Sequence, residues 1–301
     1  MRSSEAYIWP SFFIVGGVKC GTTTLYSLLK KHPQVFLPEL KEPHFFADIT
    51  PPPEARDILC SGDPVKYQRL YRGAGSFPAI GDASPSYLWD ESSPGRIYEV
   101  SPKAKIIVML RDPIARAHSH YLMNVLHGHE KLPFIQALRL DHAQPNKKFW
   151  RDRLLVDLGL YYKQVRRYFD TFGRDRVLVL LFDDLQRNPR ELLSAVTQHI
   201  GVDPARLDES ETSRSHNSYK APKFQAAYRL ATGPVAKKMW RTILPESVRE
   251  WLKSTPLLYG GEKPALDEEA RRFLQDIYDP DVTLLEELLD RKLPELRKSW
   301  A

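Results

Sequence analysis

The chain has 301 residues, of which 42% are hydrophobic, 27% charged and 11% aromatic. That balance excludes collagen-like, coiled-coil and largely disordered chains, and two cysteines exclude a disulfide scaffold. The 44 Lys and Arg exceed the 38 Asp and Glu by six, an excess that suits anionic ligands without being the footprint of a dedicated nucleic-acid binder.

The first apolar stretch, Ile8 to Val18, is broken by Pro10 and Ser11. It falls short of the roughly 20 apolar residues that span a bilayer and has no small-residue cleavage site, so a soluble cytoplasmic protein is expected. Phe12-Phe13-Ile14-Val15, ended by Gly16-Gly17, reads as a buried strand. Thr22 to Lys31 reads as a helix with Leu25, Leu28 and Leu29 on one face, stopped at His32-Pro33. Val35-Phe36-Leu37 follows as a short strand and Pro51-Pro52-Pro53 as a surface loop. Val65 to Tyr71 is expected to be helical, 79–83 a strand, and Ile97 to Val100 the end of a helix.

Lys105 to Leu110 is an unbroken apolar, β-branched run, the pattern of a parallel strand covered on both faces. Pro113 suits the first turn of a helix running to about His127. Tyr161 to Phe172 reads as a helix, Arg176 to Phe182 as a buried strand, and Arg190 to Ile200 as a helix capped by Gly201. This alternation predicts an α/β fold with a central parallel β-sheet flanked by helices. Between Thr212 and Glu262 prolines recur among short amphipathic pieces, and Leu266 to Leu289 returns to helical spacing. The whole chain, 1–301, is read as one domain with a core of about 11–211 and a helical C-terminal extension over 212–301.

The segment Gly16-Gly17-Val18-Lys19-Cys20-Gly21-Thr22-Thr23-Thr24 lies between a strand and a helix. Glycines allow backbone N–H groups to converge, the helix start adds partial positive charge, and Lys19 adds a full one. This is an anion cradle. It departs from the nucleotide-triphosphate loop, because Thr22 stands where lysine should follow the second glycine.

Gly17 to Thr23 closely resembles the 5′-phosphosulfate loop of the sulfotransferases. Leu110-Arg111-Asp112-Pro113, continuing to Arg116 and Ser119, resembles their 3′-phosphate motif, in which an arginine ending a strand and a serine eight residues later bind the phosphate. Lys41-Glu42-Pro43-His44-Phe45-Phe46 is similar to a stretch of the heparan sulfate 3-O-sulfotransferases whose glutamate acts as base. Asp82-Ala83-Ser84-Pro85-Ser86-Tyr87 resembles a second segment of those enzymes, with Ala83 in place of its lysine.

The resemblance, closest to the carbohydrate-type branch, implies a P-loop-kinase-like fold. It also implies transfer of a sulfuryl group from 3′-phosphoadenosine 5′-phosphosulfate (PAPS) to a hydroxyl or amine, with adenosine 3′,5′-bisphosphate (PAP) as product. Lys19, Glu42 and His44 are then the catalytic candidates: Lys19 stabilises charge on the leaving oxygen, Glu42 takes the acceptor proton, and His44 orients the acceptor or shares that role. Gly17, Lys19, Cys20, Gly21, Thr22, Thr23, Thr24, Arg111 and Ser119 would bind the nucleotide. Asn217, Ser218 and Lys220, in a basic polar segment after the core, would close over it. No metal is expected. A carbohydrate or glycolipid acceptor is expected, and no nucleic acid.

Other readings stand beside these. Glu42 could be a solvated surface carboxylate, His44 could pack beside Phe45-Phe46, and Arg111 and Asp112 could form only a loop-stabilising ion pair. Cys20, at a helix start, could be a reactive thiolate. His118/His120 and His127/His129 are two apart, diverge on a helix and make poor metal-ligand pairs, so all four are read as structural or acceptor-facing. The stripes from Val235 to Leu252 suit either packed helices or peripheral membrane contact. A nucleotide kinase with a degenerate phosphate loop, or a secondary-metabolite or lipid sulfotransferase, is the alternative function.

Overall fold

Five short apolar runs become one parallel sheet: β1 (Phe12–Ile14), β2 (Val35–Phe36), β3 (Ala79–Ala83), β4 (Lys105–Leu110) and β5 (Val177–Leu181), in the order β2-β3-β1-β4-β5. The structure, a computed structural model, describes residues 7–56, 59–206, 221–222, 259–261 and 264–300. Every residue of β1 is buried, as are Ile106 to Leu110 of β4, because both faces of the sheet are covered. Alternate side chains therefore enter different cores. Phe13, Ile106, Val108 and Leu110 face one hydrophobic cluster; Phe12, Ile14, Ile107 and Met109 face the other.

The first cluster is closed by α7 (Tyr161–Phe172), whose Tyr161, Val165, Tyr168 and Phe172 recur at helical spacing, and by the last long helix. That helix, Glu268–Leu289, is α10 once the intervening helices are counted: α1 (Thr22–Leu29), α2 (Pro64–Arg69), α3 (Ser86–Trp89), α4 (Ser93–Val100), α5 (Pro113–His127), α6 (Phe134–Ala143), α8 (Phe182–Arg187) and α9 (Pro189–Ile200). The second cluster is closed by Leu25, Leu28 and Leu29 of α1 and by Leu192, Leu193 and Val196 of α9. A third joins α5, α6 and α10 through Ala117, Leu138, Leu274 and Tyr278.

Several boundaries differ from the sequence expectation. The first helix ends at Leu29 rather than Lys31. Phe182, expected to close a strand, opens α8. α3, α6 and α8 were not expected at all. Within 207–263 the described residues form a two-stranded antiparallel pair, β6 (Ala221–Pro222) with β7 (Tyr259–Gly261). Asn217, Ser218, Lys220 and the Val235–Leu252 stripes lie outside the described residues.

Adjacent strands β1 and β4 end at the same edge. The chain leaves β1 toward β2 and β3 on one side, while β4 and β5 lie on the other. Loops at such a reversal diverge and open a crevice at the strands' carboxyl ends. The Gly16–Gly21 loop and the Arg111-Asp112 turn are the two that diverge here.

Candidate active site

The loop after β1 is built by close backbone approach. Gly17 N donates to Met109 O at 3.0 Å, and Cys20 N donates to Gly17 O at 3.1 Å. Gly21 N-caps α1 in the left-handed region at φ 88° and contributes no side-chain cap. The first turn of α1 begins at Thr22, and the start of a helix is where backbone N–H groups can face an anion. Gly21 is required twice over: its φ is costly for any L side chain, and a Cβ there would lie 2.6 Å from the Phe182 ring. Gly21→Ala should therefore lower the melting temperature by several degrees in differential scanning fluorimetry, from about 1–3 kcal/mol of backbone strain plus the clash.

Arg111 leaves the end of β4 and turns over this loop. Its Nη1 donates to the Lys19 carbonyl at 3.2 Å, and its guanidinium lies 4.7 Å from the Phe182 ring centroid, a cation–π contact. Asp112 is not its ion-pair partner. Asp112 instead N-caps α5, accepting from Ala115 N at 2.9 Å, and binds Ser299 N and Oγ at 2.8 and 2.6 Å. Ser119 sits partly buried on α5, about two turns beyond Arg111.

Lys19 occupies the left-handed region at φ 69°. Its Nζ lies 3.6 Å from Met123 Sδ, a weak acceptor. Burial, then the Arg111 guanidinium, pulls its pKa down, while the Glu42 carboxylate pulls it back up. The three residues therefore share one electrostatic neighbourhood. Among the described residues neither Lys19 nor Arg111 has a partner at salt-bridge distance, and the Glu42 carboxylate offsets their mutual repulsion only at longer range.

Glu42 and His44 are also left-handed, at φ 65° and 53°. Glu42 N donates to Ala83 O at 3.0 Å, which pins the loop to the end of β3. Its carboxylate pairs with Lys41 and lies 3.7 Å from His44 Nε2. Burial pushes its pKa up, but the neighbouring His44 ring and the Lys41 ammonium outweigh this and bring it down to about 2. His44 is 2% exposed. Its Nδ1 lies 2.6 Å from Ser86 Oγ, and its N–H donates to Ser84 Oγ at 3.2 Å.

Ser84 in turn donates to Asp82, which also accepts from Tyr67 and Tyr87 at 2.8 and 2.9 Å. Burial raises Asp82 to about 6 against these three hydroxyls. The Asp82–Ser84 segment thus holds the Glu42–His44 loop in its strained conformation.

Cys20 is fully buried beneath the loop, and burial pushes its thiol pKa up, so it is not a stabilised thiolate. Three neighbours were missed from sequence. Phe182 backs Gly21 and Arg111. Trp150, itself left-handed at φ 68° and 38% exposed, packs edge-on against His44 at 4.7 Å between ring centroids. Phe149 links Trp150 to Trp89. Spacing could not find these aromatics, since the 145–156 loop reaches His44 only through the fold. Among the described residues, no group of three or more His, Cys, Asp or Glu could hold a metal ion, and no helix is long and apolar enough to cross a membrane.

The parallel sheet, with a glycine-rich strand-loop-helix turn after β1 and an arginine at the neighbouring strand end, is an α/β fold of the P-loop-kinase-like kind. Residues 10–291 match the family described as the sulfotransferase domain. The chain belongs to this family of transferases. It is 27% identical over 247 residues to mouse carbohydrate sulfotransferase 15, covering 65% of this chain and 44% of that protein. It is 26% identical over 301 residues to mouse bifunctional heparan sulfate N-deacetylase/N-sulfotransferase 4, covering 97% of this chain and 31% of that protein. The chain thus spans less than half the length of either relative. A sulfotransferase from Alicyclobacillus acidocaldarius superposes with a TM-score of 0.73 at 28% identity, over 97% of this chain and 100% of that one.

Proposed function

We propose that this protein transfers a sulfuryl group from PAPS to a hydroxyl or amine of a carbohydrate or glycoconjugate. The observation that carries this reading is the pair of neighbouring cations, Lys19 and Arg111, at the carboxyl ends of adjacent strands β1 and β4, with no partner at salt-bridge distance among the described residues and Glu42 within electrostatic reach of Lys19. An anion with charge at two ends fits that arrangement, and the amides of Thr22–Thr24 add donors at the Lys19 end. When bound, PAPS would supply an activated sulfuryl group whose leaving oxygen gains negative charge on transfer. Lys19 and the α1 amides would hold that end, and Arg111 with Ser119 the 3′-phosphate, bidentate contact being what a guanidinium offers. Lys19 stabilises the developing charge.

Glu42 accepts the acceptor proton. The enclosed His44 acts through Glu42 rather than on the acceptor, and Trp150 walls the acceptor side. The carbohydrate acceptor is supported by the names of the two mammalian relatives.

Thermal shift tests the reading directly. At 100 times its dissociation constant, PAP should stabilise the protein by about 2.7 kcal/mol, with no magnesium present. ATP with magnesium should not, and Arg111→Ala should abolish the PAP shift. A shift with ATP-magnesium alone would favour the kinase reading. With PAPS, heparosan- and chondroitin-derived oligosaccharides should each be screened by mass spectrometry for gain of one sulfuryl group.

A further inference from the structure

Helix α5 turns one stripe of side chains toward the underside of the Lys19 loop. Arg116, His120 and Met123 recur at the four- and three-residue spacings that share a helix face. Both ends of the stripe are located by contacts. Arg116 is fully buried, donates from Nη2 to Leu155 O and lies within electrostatic reach of Cys20. Met123 Sδ touches the Lys19 ammonium. His120 lies between them, next to Ser119.

The His120 ring is partly buried, yet its Nδ1 is wholly enclosed and has no hydrogen-bond partner. Nε and Nη1 of Arg116 are likewise enclosed and unpaired. An orphaned buried polar atom costs stability that a hydrogen-bonding ligand would return.

We propose that His120 is a further residue of the transfer site, donating a hydrogen bond from Nδ1 to an oxygen of the sulfuryl group held by Lys19. The inference rests on the sulfuryl-transfer reading above. Sulfuryl oxygens carry only lone pairs, so the orphan nitrogen must be the protonated one and Nε2 the bare one. The ring is uncharged. Burial, then Arg116, then Lys19 bring its pKa down to about 3. A neutral donor adds a contact to the transferring group without adding a third charge to two repelling cations.

Three variants and one spectrum test this. His120→Ala should lower kcat by about 100-fold, the cost of one such donor, with PAP affinity unchanged. His120→Asn, whose side-chain amide can take the Nδ1 position, should restore most of the rate; His120→Gln should not. In 15N-histidine NMR the ring should be the Nδ1–H tautomer. PAPS should move that resonance, and PAP, which lacks the sulfuryl group, should not.

Wild-type kcat in His120→Ala, equal rescue by Gln and Asn, or an equal response to PAP and PAPS would each overturn the assignment; the last would mark a bound water or a nucleotide contact instead. Failure of both nucleotides to bind the wild-type protein would instead sink the sulfuryl-transfer reading itself.

Discussion

Lys19→Ala should reduce turnover on the order of 100- to 1,000-fold, as loss of a central transition-state donor does, and should do so without loss of stability. The ammonium is held only by a thioether, is repelled by Arg111 and has no ion-pair partner among the described residues. Removing it relieves the burial of a charge and the Arg111 repulsion, which together outweigh the Glu42 attraction that is lost with them. Alanine is no worse than lysine at φ 69°, so the backbone is not penalised by the change. Steady-state kinetics beside a melting curve separates this from a folding defect: activity collapses while the melting temperature holds or rises. The same repulsion has a pH signature. The folded Lys19 pKa is lowered, so just below its ordinary 10.5 the unfolded chain still binds a proton that the folded chain has released. Stability should rise with pH in that window, and Lys19→Ala should lose the rise. A variant with near-normal turnover would remove Lys19 from the mechanism.

Glu42→Gln should cost on the order of 100- to 10,000-fold in kcat, the span of a positioned proton acceptor. Glutamine keeps the shape and can still meet His44 and Lys41, so the backbone loop should survive. The folded carboxylate titrates at about 2, below its ordinary value, and stays ionised through any working pH. Glu42 therefore produces no acid limb near neutrality. A limb near pH 6 would instead report Asp82, which accepts from Ser84 Oγ, the same hydroxyl that accepts from the His44 backbone N–H. A low pKa also makes a weak base. The Lys41 pairing that depresses it must loosen when the acceptor arrives, or the rate will be limited by proton transfer. A pH–rate profile for wild type and Glu42→Gln checks both points. Equal kcat in the two proteins would move the base elsewhere.

The parallel core was legible because burial on both faces leaves a plain mark. β4 and α5 fall on the expected residues, since Lys105–Leu110 is unbroken and Pro113 and Gly128 bracket the helix. The cradle was legible because glycine, lysine and threonine must sit together in sequence to converge on one anion. What escaped depends on distant parts of the chain. Trp150 meets His44 across more than a hundred residues, and no local pattern announces it. α6 has apolar residues at Phe134, Ile135, Ala137 and Leu138 but begins after a proline in a polar stretch, and it was passed over. His120 was judged by its distance from His118, a test for metal pairs. The informative spacing was to Arg116 and Met123, and it acquires meaning only when Met123 is seen against Lys19. The left-handed conformations of Lys19, Glu42, His44 and Trp150 have no sequence signal, because non-glycine residues are held there by their surroundings.

The Asp112 carboxylate caps the helix that carries Ser119 and His120, and it is also clasped by the backbone and hydroxyl of Ser299, 187 residues away along the chain. The sheet face that α10 covers and this cap both wait for the last part of the chain. Until Ser299 arrives, the start of α5 lacks one of its two anchors, and the Arg111 turn beside it is not yet locked. The chain is therefore expected to fix the Arg111 turn only after α10 has docked.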